Sequence, residues 1–214
     1  MEVVRGKTIE DVDLDALAAA FPRVHVDVGT GDGRYALHVA RREPETLVVA
    51  IDAITENLEE TARKAARQPR KGGTANVLYV HASAEAPPPD LHGRADAVTV
   101  ILPWGRLMAG LLLPIADVLD GLHRLGHPGT AFRAVINAEV WGDPIPVEAR
   151  DLPELTPERA TGELAPRYRA HGIDVDDARM LDAAAVADLR STWAKKLASS
   201  RALPRFVEIT GRYL

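Results

Sequence analysis

The 214-residue chain contains no cysteine. That absence excludes a disulfide framework, a thiolate zinc site, a cysteine-ligated iron–sulfur cluster and any cysteine nucleophile. Aromatic residues are scarce at 5%, and only 3 are tryptophan, so the setting of each tryptophan carries weight. No apolar run approaches the roughly 18 residues that a membrane span needs. The opening Met1-Glu2-Val3-Val4-Arg5-Gly6-Lys7 lacks the apolar core of a signal peptide. A cytoplasmic protein is expected. The 7 histidines are scattered, and only His123 and His127 stand at helical i,i+4 spacing, with Gly126 and Pro128 breaking a helix there. No metal site is expected.

Apolar residues make up 46% and charged residues 27% of the chain, ordinary values for a globular protein. The length suits one domain, 1–214, with a full core. The net charge of −5 hides two basic blocks. Residues 61–71 hold Arg63, Lys64, Arg67, Arg70 and Lys71 with no acid among them, and residues 189–207 hold Arg190, Lys195, Lys196, Arg201 and Arg205, again with no acid. An acidic body with two basic patches fits a protein that meets a polyanion on one face only.

Short apolar runs alternate with helical patterns, which predicts an α/β fold with a mostly parallel sheet. Strands are expected at Val24–Val28, Leu47–Ile51, Val77–Val80, Ala97–Leu102, Thr130–Ile136, Ile173–Met180 and Phe206–Gly211. Helices are expected from Arg34 to Arg41, from an N-cap at Thr55 to Gln68-Pro69, in two pieces between Pro103 and Leu125 interrupted at Gly110 and Pro114, and from Pro157 to His171. The stretch Asn137 to Pro157, with its acids and 4 prolines, is long for a passive connector, and such loops are often functional.

The strongest local signal is Asp27-Val28-Gly29-Thr30-Gly31-Asp32-Gly33, a strand feeding a glycine-rich turn and then a helix. Glycines there admit φ > 0 and let backbone N–H groups approach a ligand. A dinucleotide site prefers G-x-G-x-x-G and avoids an acid two residues before the first glycine, where it would face a pyrophosphate. A carboxylate at Asp27 suits a ligand with an amino group, such as the methionine end of S-adenosylmethionine (SAM). Asp52, closing the second strand about twenty residues on, is placed to bind ribose hydroxyls. Glu85, after the third strand in Ala82-Ser83-Ala84-Glu85, is placed to accept from an adenine amine. Three acids at three successive strand ends predict a SAM pocket, against a plain doubly wound domain that uses glycine only to turn.

Two tryptophans have telling contexts. Leu102-Pro103-Trp104-Gly105 follows the fourth strand, where ligands gather in open α/β sheets. Ser191-Thr192-Trp193-Ala194-Lys195-Lys196 lies inside the second basic block. Methylating a base in folded RNA requires flipping it out, and two aromatic planes can sandwich it; filling core volume is the competing role for either residue. Enzymes that methylate exocyclic amines carry a polar residue before Pro-Pro-aromatic; Leu102 stands there instead. A ring nitrogen such as N1 of adenine has its own lone pair, so positioning supplies the rate. In the segment Ala62-Arg63-Lys64-Ala65-Ala66-Arg67, Leu58, Ala62, Ala65 and Ala66 are expected to face the sheet and the cations to face out, partly paired with Glu59 and Glu60.

These residues resemble the aminoglycoside-resistance 16S rRNA methyltransferases (Kam type) that modify N1 of adenine 1408. The resemblance covers nearly the whole chain and is carried by Val26 to Gly33, Pro69-Arg70-Lys71-Gly72-Gly73, Pro103-Trp104-Gly105 and Ser191 to Leu197. It implies a class I SAM-dependent methyltransferase fold, Rossmann-like, with a seven-stranded sheet and an N-terminal β-hairpin within Val3–Ile9. It implies SAM contacts at Asp27, Gly29, Asp52, Ala84, Glu85, Leu102 and Ser191, to which the glycine loop itself adds Gly31 and Gly33. Trp104 and Trp193 match the pair that stacks on the flipped adenine. RNA contacts carry over to Arg63, Lys64, Arg67, Arg150, Lys196 and Arg201; the basic blocks add Arg70, Lys71, Lys195 and Arg205. Trp141 is expected to help shape the linker near the target. The implied partner is 16S rRNA within the assembled 30S subunit, met by a monomer.

Three positions depart from the family pattern: Arg106 where Ser or Thr contacts SAM, Gln68 where a cation stands on the second helix, and Ala202-Leu203-Pro204 where further cations follow Arg201. Fewer cations weaken phosphate anchoring. Two other readings stay open on the residues alone: a methyltransferase for a small metabolite, with the acidic 137–157 segment as its lid, and a ribosome-binding module that retains SAM as a structural ligand.

Overall fold

Side-chain alternation along the strands sorts the apolar residues onto the two faces of one sheet. The structure, a computed structural model, describes residues 1–141, 145, 147–189 and 205–214. An N-terminal hairpin, β1 (Glu2–Arg5) with β2 (Thr8–Asp11), precedes a short helix α1 (Leu14–Ala18). The sheet then takes β3 (Arg23–Val28), β4 (Thr46–Asp52), β5 (Val77–His81), β6 (Ala95–Ile101), β7 (Gly126–Asn137), β8 (Ile173–Leu181) and β9 (Phe206–Tyr213), in the order β5-β4-β3-β6-β7-β9-β8. Only β9 runs against its neighbours. The expected seven-stranded, mostly parallel sheet is present.

On β4 every residue is buried, with Leu47, Val49 and Ile51 on one face and Val48 and Ala50 on the other. The first face is covered by α4 (Gly105–Leu112), α5 (Ala116–Arg124) and the helix that runs from α6 (Pro157–Arg159) through a π-helical turn at Ala160–Leu164 into α7 (Ala165–Arg169). The second face is covered by α2 (Arg34–Arg42), α3 (Thr55–Ala65) and α8 (Ala183–Ala187). Strand order reverses between β3 and β6: from β3 the chain moves outward to β4 and β5, then returns to lay down β6 and β7 on the other side. The loops at the carboxyl ends of these two strands therefore diverge to opposite faces and leave a crevice between them. The reversed strand β9 is held by Glu208, which is 3% exposed and accepts from Arg133 Nε and Arg179 Nε on the flanking strands, each at 2.7 Å.

Several local expectations are corrected. Ile54, not Thr55, is the N-cap of α3 and has no side-chain cap bond; the Asp52 carboxylate accepts from Ile54 N–H at 2.9 Å and fixes the entry to the helix. That helix ends at Ala65, short of Gln68, so Ala66 is its exposed C-cap and Thr61 takes the buried place expected of Ala66. Gly110 lies inside α4 rather than interrupting it, because a Cβ there would sit 2.6 Å from Val118 of α5; glycine is needed for the two helices to touch. The break between them falls at Leu113–Ile115, centred on Pro114. Leu102 lies beyond the end of β6 at φ 53, and Pro103 lies outside α4. The strand expected at Thr130–Ile136 begins earlier, at Gly126. His123 stacks on Tyr213 with ring centroids 5.1 Å apart, while His127 lies in β7 beside Asp96, so the two histidines serve separate contacts.

Candidate active site

At the crevice between β3 and β6 lies a cleft of about 440 Å³, lined by the glycine loop, the ends of β4 and β5, and the turn from Ile101 to Leu107. The glycine loop is shaped by φ values of 68, 59 and 70° at Gly29, Gly31 and Gly33. A Cβ at Gly29 would lie 2.5 Å from Leu107 and one at Gly33 2.4 Å from Tyr79, whereas Gly31 opens onto free space. Two of the glycines let the loop close against its neighbours, and the third leaves room for a ligand.

Asp52 holds the loop from the side: its Oδ2 accepts from Gly31 N–H at 2.8 Å, while Thr30 N–H donates to the Ile51 carbonyl at 3.0 Å. Across the cleft, Glu85 accepts through Oε1 from Arg106 Nε at 2.6 Å, and the far end of the same guanidinium pairs with Asp117. Carboxylates at Asp32, Asp52 and Glu85 line the cleft, with Arg106 as the cation among the lining residues. This set suits a ligand that carries positive charge and hydroxyl or amine donors.

Asp27 differs from its expected place. It is 1% exposed and stands behind the cleft wall, where its Oδ2 accepts from Thr30 Oγ1 at 2.5 Å and its Oδ1 from Thr99 Oγ1 at 2.7 Å. Burial pushes its carboxyl up to about 6, against the pull of the two hydroxyls. Thr99 also meets His25 Nε2 at 2.9 Å. The threonine has one proton and gives it to Asp27, so the His25 ring is the donor through Nε2–H. Burial pulls His25 down to about 4 and keeps it neutral. Gly33 is likewise absent from the cleft wall: it is the N-cap of α2, packed on Tyr79. Asp27 thus supports the loop through Thr30 instead of lining the ligand space, and its second partner Thr99, itself bonded to His25, left no signal in the sequence.

Trp104 is 39% exposed at the rim, as N-cap of α4 just after the buried Pro103. Core filling, the competing role, does not apply to it. Leu102 is positioned by its N–H, which donates to the Val135 carbonyl at 2.7 Å.

The sequence profile of the family described as NpmA, 16S rRNA (adenine(1408)-N(1))-methyltransferase, matches residues 2–210. The chain belongs to this family. A 16S rRNA (adenine(1408)-N(1))-methyltransferase from Streptoalloteichus tenebrarius is 38% identical over 214 residues, 99% of this chain and 98% of the relative. One of the same name from Escherichia coli is 33% identical over 208 residues, 94% of each chain. Among solved structures, the 16S rRNA methyltransferase KamB matches with TM-score 0.92 at 38% identity, over 100% of this chain and 99% of that one. A variant of the 16S rRNA (adenine(1408)-N(1))-methyltransferase from Catenulisporales acidiphilia with cosubstrate SAM matches with TM-score 0.91 at 39% identity, over 100% of this chain and 97% of that one. The chain is accordingly a SAM-dependent methyltransferase.

Of the SAM contacts that family resemblance implies, Gly29, Asp52, Ala84, Glu85 and Leu102 line the cleft, together with Gly31. Ser191, Trp193, Lys195, Lys196 and Arg201 lie outside the described residues. Arg63 is exposed in the last turn of α3 and Arg67 is exposed just beyond its C-cap, not on the helix as expected; Lys64 is half-buried and pairs with Glu60 at 2.5 Å. Arg70 and Lys71 continue the patch on the following turn, where Gln68 Oε1 accepts from Arg70 Nε at 2.8 Å. That turn is anchored from α2 by Arg41, which donates to the Gly72 carbonyl at 2.7 Å. Arg150 is exposed and its Nε reaches the Ile145 carbonyl at 3.4 Å; Arg205 is exposed at the entry to β9. Trp141 packs against the core and donates from Nε1 to the Leu152 carbonyl at 3.0 Å, which ties together two turns of the 137–157 segment.

Proposed function

We propose that this enzyme transfers the methyl group of SAM to N1 of adenine 1408 of 16S rRNA within the assembled 30S subunit, and so confers aminoglycoside resistance. It acts as a monomer in the cytoplasm, with 1–214 as one methyltransferase domain. The observation that carries the reading is an acid-lined cleft of about 440 Å³ at the switch point of the sheet, with an exposed tryptophan on its rim, in a chain of this family. The volume lies within the range of sites that bury a nucleoside-sized ligand, about 300–1,000 Å³.

When bound, SAM supplies a methyl group on a sulfonium centre. The residues around it have separable tasks. Asp52 accepts from the ribose hydroxyls, Glu85 accepts from the adenine amine, and Gly29 and Gly31 bring the backbone close to the amino-acid end. Asp27 and Thr30 hold that loop in shape from behind. Leu102 stands where an exocyclic-amine methyltransferase needs a polar acceptor; its apolar side chain favours a ring nitrogen, whose lone pair is available without a general base. Trp104 and Trp193 stack on the flipped adenine and present N1 to the methyl group. Arg63, Lys64, Arg67, Arg70 and Lys71 hold the rRNA backbone, as do Arg150, Lys195, Lys196, Arg201 and Arg205; Ser191 completes the SAM contacts. The acidic remainder of the surface keeps RNA to that face.

Incubation with labelled SAM and purified 30S subunits, protein-free 16S rRNA or 50S subunits tests the reading. Label in the 30S sample alone is expected. No label in any sample from enzyme that binds SAM would overturn it.

A further inference from the structure

We infer that Arg106 is a positioning residue that sets Glu85 for recognition of the adenine amine of SAM, and thereby selects adenine over a 6-oxo purine at the cofactor site. The inference rests on the proposed contact between Glu85 and adenine.

Glu85 is held through both its backbone and its side chain. Its backbone is fixed by α5: Arg124 donates to its carbonyl at 2.7 Å, and the helix passes so close at Gly121 that a Cβ would lie 1.9 Å from the Ala84 carbonyl oxygen. Its side chain is fixed by α4, where Arg106 Nε donates to Oε1 at 2.6 Å. The guanidinium is itself fixed at its other end by Asp117 of α5. A planar fork tied at both ends restricts the carboxylate to one orientation. Pinned through Oε1, the carboxylate turns its remaining acceptor sites, those of Oε2 first, to the ligand. An adenine amine offers that oxygen a proton, whereas the carbonyl of a 6-oxo purine offers a second lone pair and is repelled.

Calorimetric titration of the full chain with S-adenosyl-L-homocysteine and with its deaminated analogue, S-inosyl-L-homocysteine, tests this without requiring turnover. The unaltered enzyme should prefer the adenine ligand by at least about tenfold. Arg106→Gln should weaken the adenine ligand by about fivefold, a modest loss because the guanidinium is 59% exposed, and should narrow the preference. Arg106→Lys keeps the charge but cannot bridge both carboxylates in plane, and should fall between. Glu85→Gln should lose both affinity and preference, and the double variant should be no weaker than Glu85→Gln alone. The thermal midpoint of Arg106→Gln checks that the fold is retained. If Arg106→Gln keeps affinity and preference while Glu85→Gln loses both, the inference is overturned and the adenine contact stands. If Glu85→Gln itself keeps both, the adenine contact fails and the inference falls with it.

Discussion

Replacing Asp27 with Asn should change the stability of the fold, relative to the unaltered enzyme, by an amount that depends on pH in a defined way. The carboxyl titrates at 3.8 when ordinarily solvated and at about 6 in the folded protein, where burial outweighs the Thr30 and Thr99 hydroxyls. The folded state therefore holds a proton that the unfolded chain has released between these two values. Stability contributed by the protonated form is fully present below pH 3.8 and lost as pH rises through 6. A gap of about two pH units corresponds to about 3 kcal/mol. Denaturant unfolding of the Asp27→Asn variant and the unaltered enzyme, run from pH 4 to pH 7.5, should show the stability difference moving in favour of the variant by about that amount as pH rises. The same variant should bind SAM more weakly, because Thr30 loses a charged acceptor and the glycine loop its brace. His25 provides an opposite slope. Its ring titrates at 6.5 in solvent and at about 4 when buried, so its neutral form is favoured in the fold and stability is lost as pH falls between these values. His25→Gln keeps a donor for Thr99, and should gain on the unaltered enzyme as pH falls. A flat difference for Asp27→Asn, or slopes of the same sign for both variants, would refute the reading of this buried network.

Trp104→Ala should lower methyl transfer to 30S subunits by about a hundredfold while leaving SAM affinity nearly intact, because the indole serves the target base and not the cofactor; equal losses in both would make it a structural residue of the cleft. Gly121→Ala should cost about 2 kcal/mol in unfolding free energy, because its Cβ would press on the Ala84 carbonyl 1.9 Å away, and should weaken SAM binding as Glu85 is displaced. Unchanged stability in this variant would mean that α5 shifts freely. Arg63→Gln with Arg67→Gln should weaken 30S binding and reduce its log–log salt slope by about 0.7–1 for each phosphate no longer neutralised, with SAM affinity unchanged.

Much of the site was legible because its residues sit where period and motif agree. The run Thr46–Asp52 is apolar on both faces of the sheet and ends in an acid, so both the strand and its terminal carboxylate could be read directly. The glycine loop announced a close backbone approach, and Trp104 stood next to a strand end. What escaped was set by contacts distant in the sequence. Asp27 reads as a ligand-facing acid until Thr99, 72 residues away, is seen to claim its second oxygen. Arg106 reads as a missing hydroxyl until Glu85 and Asp117 are found at the two ends of its guanidinium. Gly110 reads as a helix break because its reason, Val118, lies on the next helix. The helices α1 and α8 have five residues each, too few for a period to show, and β2 is exposed along its whole length, so no alternation marks it. That hairpin was accessible only through family resemblance.

The most direct measurement is primer extension across the decoding site of 16S rRNA taken from 30S subunits treated with enzyme and SAM. A methyl group on N1 blocks the Watson–Crick edge, so reverse transcriptase should halt one nucleotide before adenine 1408, only when both enzyme and SAM are present. Full read-through at that position, with methyl label incorporated elsewhere in the RNA or not at all, would contradict the account.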